Sequence, residues 1–107
     1  MDGFECINIH EAKKKIDAGG HLIVDVRDPA SYGEAHVANA IYLTDQNIQS
    51  FIRDMDKNAP VICYCYHGNS SQMAAMFLLE NGFKQVYSID GGFEAWREVY
   101  PAVEGAA

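Results

Sequence analysis

Two spacings of apolar residues alternate along the chain. Continuous apolar runs occupy residues 22–24, 40–43 and 61–64, and residues 86–89 form a mainly apolar run that includes one serine. Runs of this length are typical of strands that are buried on both faces. The run at 61–64 has the highest β-propensity. The pattern therefore predicts four strands, each followed by a more polar segment.

The segments around these runs predict helices. Asn8, with Glu11 three residues later, matches a capping box, and the helix that follows stops at a pair of glycines. A second helix is predicted by apolar residues at the i, i+3, i+4 and i+7 spacing, with Thr44 or Asp45 as its cap. These apolar residues are Ile48, Phe51, Ile52 and Met55. Residues 29–34 are too few for more than one helical turn.

Two further helices are predicted in the second half of the chain. One begins near Ser70 and ends at Asn81, and the other covers residues 93–100. The apolar side of the first is formed by Met73, Ala74, Phe77 and Leu78. Strands and helices thus alternate with short joints, which predicts an α/β fold with a mainly parallel sheet covered by helices. Such sheets bind ligands beyond the carboxyl ends of their strands, and Cys65 directly follows residues 61–64.

The composition fits one globular domain over residues 1–107. Because 49% of the residues are apolar and 21% are charged, the chain is neither disordered nor a coiled coil. Fifteen acidic residues against eight basic ones give a net charge of −7, and nucleic-acid binders instead concentrate Lys and Arg. The longest apolar run, residues 73–79, is far shorter than the ~20 residues of a membrane span. We therefore expect no nucleic-acid partner and no membrane association.

The cysteine count and the first residues of the chain bear on its compartment. Three cysteines are an odd number and do not form a disulfide framework, which suits a reducing compartment. Residues 1–5 are acidic rather than basic, so we expect no secretory signal. Together these features predict a cytoplasmic protein.

One loop carries the candidate chemistry, and its residues are Cys65, Tyr66, His67, Gly68, Asn69, Ser70 and Ser71. It joins a predicted buried strand to a helix, whose N-terminus attracts negative charge. Gly68 permits a positive φ, so successive backbone N–H groups there are able to converge on an anion. A thiol with a pKa near 8.5 is only ~3% ionised at pH 7, whereas a pKa near 6.5 gives roughly 75%. Since the helix dipole typically lowers a pKa by less than about one unit, the remainder requires loop N–H groups bonded directly to the sulfur of Cys65.

The loop lacks positive charge, which restricts the reaction classes. No Lys or Arg occurs from position 58 to position 83, and His67 is neutral by default near pH 7. A cysteine phosphatase uses an Arg six residues after its cysteine to clamp the phosphoryl dianion, and that position is Ser71 here. A smaller or softer anion held by amides fits better, and a phosphatase or arsenate reductase is the less favoured alternative. Outside the loop, we expect Asp25 and Arg27 to form a structural ion pair near the pocket rim.

Other interpretations of the cysteines remain open. Cys63, Cys65 and His67 form a Cys-x-Cys-x-His pattern, but a structural zinc takes four ligands and no second cluster accompanies it. We expect Cys63 and Cys6 to be small buried residues, and the span from Cys63 to Cys65 is too short to favour a disulfide. Cys65 could also be inert, although the polar loop after it favours a reactive thiol.

Several segments together resemble the rhodanese family. They are Asp-Val-Arg-Asp at 25–28, Tyr32 with His36, the loop from Cys65, and Ser-Ile-Asp-Gly-Gly-Phe-Glu-Ala-Trp at 88–96. They span nearly the whole chain in order. The loop Cys-Tyr-His-Gly-Asn-Ser-Ser is the most specific segment and resembles that of the single-domain thiosulfate sulfurtransferases associated with the bacterial glycerol 3-phosphate regulon. Many rhodaneses carry Arg where this chain has Tyr66 and Ser70, which predicts a high Michaelis constant for thiosulfate.

The resemblance implies a fold and a reaction. The fold is a five-stranded parallel sheet with helices on both faces. In the reaction, Cys65 takes the outer sulfur of thiosulfate, releases sulfite and keeps a persulfide, which then passes to cyanide or to a dithiol such as thioredoxin. Residues 66–71 form the substrate and persulfide-binding loop, mainly through backbone N–H groups, with the Ser70 hydroxyl as an extra donor. No metal or organic cofactor is needed. The alternative from another class is a persulfide carrier or interaction module without turnover.

Overall fold

The computed structural model describes residues 3–105, and within them it contains five strands and five helices. The strands are β1 (Glu5–Ile7), β2 (Leu22–Asp25), β3 (Ile41–Tyr42), β4 (Val61–Tyr64) and β5 (Val86–Ile89). The helices are α1 (Ile9–Ala18), α2 (Pro29–Glu34), α3 (Ile48–Asp54), α4 (Ser70–Glu80) and α5 (Gly92–Val99). In the described part of the chain, no helix is long and apolar enough to cross a membrane.

The five strands form one sheet in the order β1-β5-β4-β2-β3, and every pair in it is parallel. The α/β class and the parallel sheet are thus confirmed. Strand β4 lies at the centre between β2 and β5, so the segment that leaves its carboxyl end is surrounded by the loops of both neighbours. This is the position that the sequence assigns to Cys65.

Helices cover both faces of the sheet, and each face has its own apolar core. On β4, Ile62 and Tyr64 face a core shared with α1, α2 and α5, whereas Val61 and Cys63 face a core shared with α3 and α4. All four residues of β4 are fully buried, which explains why the strand is a continuous apolar run. Full burial of a large aliphatic side chain contributes about 1.5–3 kcal/mol, so a strand buried on both faces is a rigid base for the loop after it.

The helix caps agree with the sequence in one case and differ in another. In α1, the side chain of Asn8 accepts the backbone N–H of Glu11, and the Glu11 carboxylate accepts the N–H of Asn8, so the capping box is confirmed. The cap predicted for α3 is different, because Thr44 accepts N–H groups of the turn before the helix and Asn47 is the residue at its boundary.

Three further expectations about the elements need correction. Strand β1 was absent from the pattern because only one of its three residues, Ile7, is buried. Residues 29–34 form six residues of helix rather than a single turn, since the side chain of Asp28 accepts the N–H of Ser31 and Pro29 opens the helix. The buried side of α4 is formed by Ser71, Ala75 and Leu78.

The other predicted apolar residues of α4 do not face the core. Met73 is 78% exposed and Phe77 is 37% exposed, whereas the predicted side placed both with Leu78. The helical spacing alone was ambiguous here, because nearly all residues of α4 after Gln72 are apolar. Cys6 was also expected to be buried and is exposed, since β1 is an edge strand.

Candidate active site

The loop that begins at Cys65 lies at the carboxyl edge of the sheet, directly after the central strand. It lines a cavity of about 350 Å³. The remaining wall comes from Val26, Arg27 and Asp28, which follow the neighbouring strand β2. A larger cavity of about 660 Å³ lies beside it, shares Val26 and Arg27 with it, and contains no cysteine. The smaller cavity is therefore the one in which a thiol meets solvent.

Hydrogen-bond donors surround the sulfur of Cys65. Its Sγ accepts the backbone N–H of Gly68 at 3.2 Å and that of Ser71 at 3.3 Å, and the Oγ of Ser71 lies 3.4 Å away. Burial, which leaves the residue 5% exposed, raises the pKa of Cys65. Hydrogen bonds from the Ser71 hydroxyl and from loop N–H groups lower this pKa by more than burial raises it, so the pKa of Cys65 lies below the ordinary thiol value. This direction is the predicted one, but its largest cause is the side-chain hydroxyl of Ser71, and the main-chain N–H groups that the sequence predicted come after it.

The backbone of the loop is held by the start of α5. Two N–H groups in the first turn of α5 donate to it: that of Phe93 to the carbonyl of Cys65 at 2.7 Å, and that of Glu94 to the carbonyl of Tyr66 at 3.1 Å. Gly68 has a φ of 103°, which side chains rarely adopt. The carbonyls of the first two loop residues are thereby tied to α5, and N–H groups of the loop are free to face the sulfur.

Two polar side chains that the sequence did not assign support the loop. The Nε2 of Gln72 donates to the carbonyl of Gly68 at 2.8 Å. The Oγ of Ser88, in β5, lies 2.7 Å from the Oγ of Ser71, and both side chains are buried. A signal for Ser88 existed, because it is a hydroxyl within an otherwise apolar and aromatic strand.

The remaining predicted loop residues lie at the mouth of the cavity. Tyr66, His67, Asn69 and Ser70 are exposed and line it. The hydroxyl that reaches Sγ belongs to Ser71, which is fully buried, whereas Ser70 faces the opening. The side chains of Ser70 and Asn69 are therefore placed to meet a ligand rather than the cysteine.

Tyr66 ties the loop to α2. Its hydroxyl donates to Oδ1 of Asp28 at 2.7 Å and also contacts the hydroxyl of Ser31. The hydrogen bond from Tyr66 is the largest cause that lowers the pKa of Asp28, to about 2, and Ser31 adds to it. One rim of the cavity thus carries a fixed negative charge.

Arg27 lines the cavity without offering a free positive charge. Its Nη2 donates to Oδ2 of Asp25 at 2.7 Å and to the carbonyl of Ala35 at 2.6 Å, and its Nε contacts both carboxylate oxygens of Asp25 at 3.1 Å. Both side chains are buried, so the predicted ion pair is confirmed. Of the residues that line this cavity, Arg27 is the only Arg or Lys. An anion bound here would therefore depend mainly on backbone N–H groups.

The three cysteines form neither a metal site nor a disulfide. Cys63 is fully buried, and its pKa is raised by burial and by Cys65. All three cysteines are free. Within residues 3–105, no group of three His, Cys, Asp or Glu side chains is arranged to hold a metal ion.

Comparison with known proteins gives the family of this chain. A family model described as Rhodanese-like domain matches residues 8–99. The chain belongs to the rhodanese-like domain family. A rhodanese-related protein from Thermoplasma volcanium has a similar structure, with 27% sequence identity and a TM-score of 0.79 over 94% of this chain and 98% of that one.

Other solved structures agree on the fold. A rhodanese-like domain protein from Staphylococcus aureus is 26% identical and has a TM-score of 0.75, covering 87% of this chain and 91% of that one. A protein of unknown function from Rhodopseudomonas palustris CGA009, described as a possible tyrosine phosphatase, is 26% identical with a TM-score of 0.79, covering 94% of this chain and 85% of that one. The rhodanese-like fold is thus shown.

Proposed function

We propose that this rhodanese-like protein is a thiosulfate sulfurtransferase in which Cys65 carries the transferred sulfur. In the first step, the Cys65 thiolate attacks the outer sulfur of thiosulfate, a Cys65–S–S⁻ persulfide forms, and sulfite leaves with the electron pair of the broken S–S bond. In the second step, an acceptor attacks the outer persulfide sulfur and Cys65 leaves as a thiolate. With cyanide, the product is thiocyanate.

The observation that carries the proposal is the set of donors around Sγ. Thiolates, not thiols, attack sulfane sulfur, so the site must stabilise the ionised form. Two backbone N–H groups and the Ser71 hydroxyl surround Sγ at 3.2–3.4 Å, and Cys65 opens into a cavity at the edge of the sheet. A stabilised thiolate at a cavity wall is the minimum requirement for covalent sulfur transfer.

The same loop suits the intermediate. The outer sulfur of a persulfide carries the negative charge, and preorganised N–H groups in a sheltered site stabilise such a charge without reorganisation. Residues 66–70 directly follow Cys65, and four of them (Tyr66, His67, Asn69 and Ser70) line the same cavity as Cys65. We propose that these groups hold first thiosulfate and then the persulfide.

A dithiol is the second acceptor class that we propose. One of its thiols takes the outer sulfur, and the other then displaces that sulfur as hydrosulfide. The dithiol is thereby oxidised to a disulfide, and Cys65 returns to its starting state. A small dithiol protein such as thioredoxin fits this chemistry. We further propose that the protein works in the cytoplasm, because three unpaired cysteines suit a reducing compartment.

The choice of donor follows from the resemblance of the loop to single-domain thiosulfate sulfurtransferases of the glycerol 3-phosphate regulon. Arg27 is paired with Asp25, and the Asp28 carboxylate lies at the rim. Because a dianion receives little charge compensation in this cavity, we expect a high Michaelis constant for thiosulfate.

One comparison favours a second candidate, since the similar protein from Rhodopseudomonas palustris is described as a possible tyrosine phosphatase. In this chain, the position six residues after the cysteine is Ser71, and its side chain is buried against Ser88 rather than open to a phosphoryl group. Phosphate monoesters are dianions that planar Arg donors bind best. We therefore favour sulfur transfer over phosphate hydrolysis.

The deciding experiment is mass spectrometry of the protein after treatment with thiosulfate. The peptide that contains Cys65 should gain about 32 Da, the mass of one sulfur atom, and lose it on addition of cyanide. Many thiocyanate molecules per protein would identify an enzyme, whereas one per protein would identify a persulfide carrier. Cys65→Ser is the control and should abolish both signals. Absence of the added mass, together with hydrolysis of an aryl phosphate that requires Cys65, would replace this proposal with a phosphatase.

A further inference from the structure

Ser88 is a polar residue in a strand that is otherwise apolar and aromatic. It lies in β5 beside Cys63 of β4 and is 1% exposed. A buried hydroxyl is unfavourable unless it is hydrogen-bonded, and among residues 3–105 the Oγ of Ser71 is the partner of this side chain, at 2.7 Å. Ser71 is itself fully buried and contacts the sulfur of Cys65. The side chains of Ser88, Ser71 and Cys65 thus form a continuous series of hydrogen bonds from β5 to the sulfur, here called the hydroxyl chain.

When Cys65 is ionised, the hydroxyl protons of Ser71 and Ser88 have only one possible arrangement. A thiolate only accepts hydrogen bonds, so the hydroxyl of Ser71 donates its single proton to Sγ. The oxygen of Ser71 is then an acceptor, and Ser88 donates to it. In the neutral thiol, the S–H group is able to donate to Ser71, and the direction of the chain reverses. The hydroxyl pair therefore responds to the charge on the sulfur.

We propose that Ser88 is a positioning residue that orients the Ser71 hydroxyl toward the sulfur of Cys65 and stabilises this sulfur whenever it carries the negative charge. Ser88 acts through Ser71 and does not touch the substrate. Hydrogen bonds in such a chain polarise one another, so the second hydroxyl strengthens the bond made by the first.

The consequence for the reaction rests on the proposed function. In the persulfide, the negative charge lies on the outer sulfur, and the inner Sγ that faces Ser71 is neutral. The hydroxyl pair therefore stabilises the free thiolate more than the loaded enzyme. Because Cys65 is the leaving group when the acceptor takes the sulfur, Ser88 favours unloading over loading.

Several ionisable groups that are not part of the hydroxyl chain also lie near Cys65. They are Arg27 and Asp28 after β2, His67 in the loop, Cys63 in β4 and Asp90 after β5. Substitution of Ser88 alters none of them. A change in the pKa of Cys65 in a Ser88 variant can thus be assigned to the hydroxyl chain.

The first readout is the alkylation rate of Cys65 as a function of pH, followed by mass spectrometry of the peptide that contains it. Ser88→Ala should raise the pKa of Cys65 by about 0.5 unit, because a polarised hydrogen bond loses part of its strength. Ser71→Ala should raise it by about one unit or more, because a hydrogen bond to a charged group is lost. In the double variant, Ser88→Ala should add nothing to the shift. An equal shift with and without Ser71, or no shift at all, would overturn the proposal.

Two further variants separate the hydroxyl from packing. Ser88→Thr keeps the hydroxyl and should keep the wild-type pKa, so a rise as large as that of Ser88→Ala would contradict the proposed role. Cys63→Ala changes the neighbouring buried side chain of the same sheet face and is the matched packing control. It should leave the pKa of Cys65 within about 0.2 unit of wild type.

The second readout is the loading equilibrium in mixtures of thiosulfate and sulfite. Ser88→Ala should shift it toward the persulfide by about threefold, the equivalent of 0.5 pKa unit. General damage to the site would not favour the loaded form. A shift toward the free enzyme would overturn the inference. If the wild-type protein does not load at all, the proposed function fails, while the alkylation experiment still decides whether Ser88 acts on the thiolate.

Discussion

A Cβ atom on Gly92 would lie 2.5 Å from the carbonyl oxygen of Cys65. The next residue, Phe93, donates its N–H to the same oxygen at 2.7 Å. Helix α5 therefore approaches the cysteine loop so closely that only a hydrogen atom fits between the two backbones. This contact fixes the carbonyl of Cys65 from the side of α5 and requires a residue without a side chain at position 92.

Gly92→Ala should both destabilise the protein and prevent sulfur loading. The residue has a φ of 58°, which costs a non-glycine residue about 1–2 kcal/mol, and the added Cβ also meets backbone atoms that have little freedom to move. We expect a loss of at least about 3 kcal/mol in the free energy of unfolding, measured by urea titration.

The matched control is Gly20→Ala. Gly20 also has a positive φ, 81°, but a Cβ there meets no atom within 4 Å. It should cost only the backbone strain, about 1–2 kcal/mol, and leave loading intact. Equal losses at the two positions would mean that strain, rather than the close approach to Cys65, explains the need for glycine.

Much of the fold could be predicted from the sequence because the central strands are buried on both faces. Residues 61–64 and 86–89 were predicted with the bounds that the structure gives them. Strand β1 could not be found in this way, since an edge strand with two exposed residues has no apolar run. The orientation of α4 also required tertiary information, because its sequence is apolar on more than one side.

The candidate site was only partly visible in the sequence. The loop and its cysteine follow from chain order, since they occupy the end of the central strand. The contact of Ser71 with Sγ joins residues that are 6 positions apart in the chain, and the contact of Ser88 with Ser71 joins residues that are 17 positions apart. No local pattern encodes such contacts, whereas the Asp25–Arg27 pair was predictable because its members are two residues apart in the chain.

Arg27 should matter for stability more than for binding of the sulfur donor. Its substitution by Leu would leave the buried carboxylate of Asp25 without a counter-charge, which typically costs about 3–5 kcal/mol. The double variant Asp25→Asn with Arg27→Leu removes both charges and should recover a large part of this loss in a urea titration. If Arg27→Leu instead kept its stability and raised the Michaelis constant for thiosulfate at least tenfold, Arg27 would be a substrate-binding residue.

Tyr66→Phe should change the response of the protein to acid. The hydrogen bond from Tyr66 holds the pKa of Asp28 at about 2, below its value of roughly 3.9 in unfolded chains. A carboxyl with a depressed pKa stabilises the fold above pH ~4, and this contribution is lost as the pH falls from about 4 to about 2. In Tyr66→Phe the pKa of Asp28 should rise, and the loss of stability over this range should become smaller.

An NMR titration of the Asp28 carboxyl group measures this directly. Ser31→Ala is the companion variant, because the Ser31 hydroxyl is the second cause of the lowered pKa while its backbone N–H remains. It should raise the pKa of Asp28 by less than Tyr66→Phe does. An Asp28 pKa that stays near 2 in Tyr66→Phe would show that the loop is not tied to α2 through this bond.

The order in which the three cysteines react with iodoacetamide should differ from the order of their exposure to solvent. Cys6 is the most exposed, but burial of its sulfur and the nearby charge of Asp90 raise its pKa. The pKa of Cys65 is lowered by the donors around it, and Cys63 is sealed in the core with a raised pKa. Because each pKa unit changes the thiolate fraction about tenfold, Cys65 should be alkylated at least about ten times faster than Cys6 at pH 7. Cys63 should react only after unfolding. Raising the pH increases the thiolate fraction of Cys6 and should narrow the difference between the two rates. A faster reaction of Cys6 than of Cys65 at pH 7 would mean that the loop does not stabilise a thiolate.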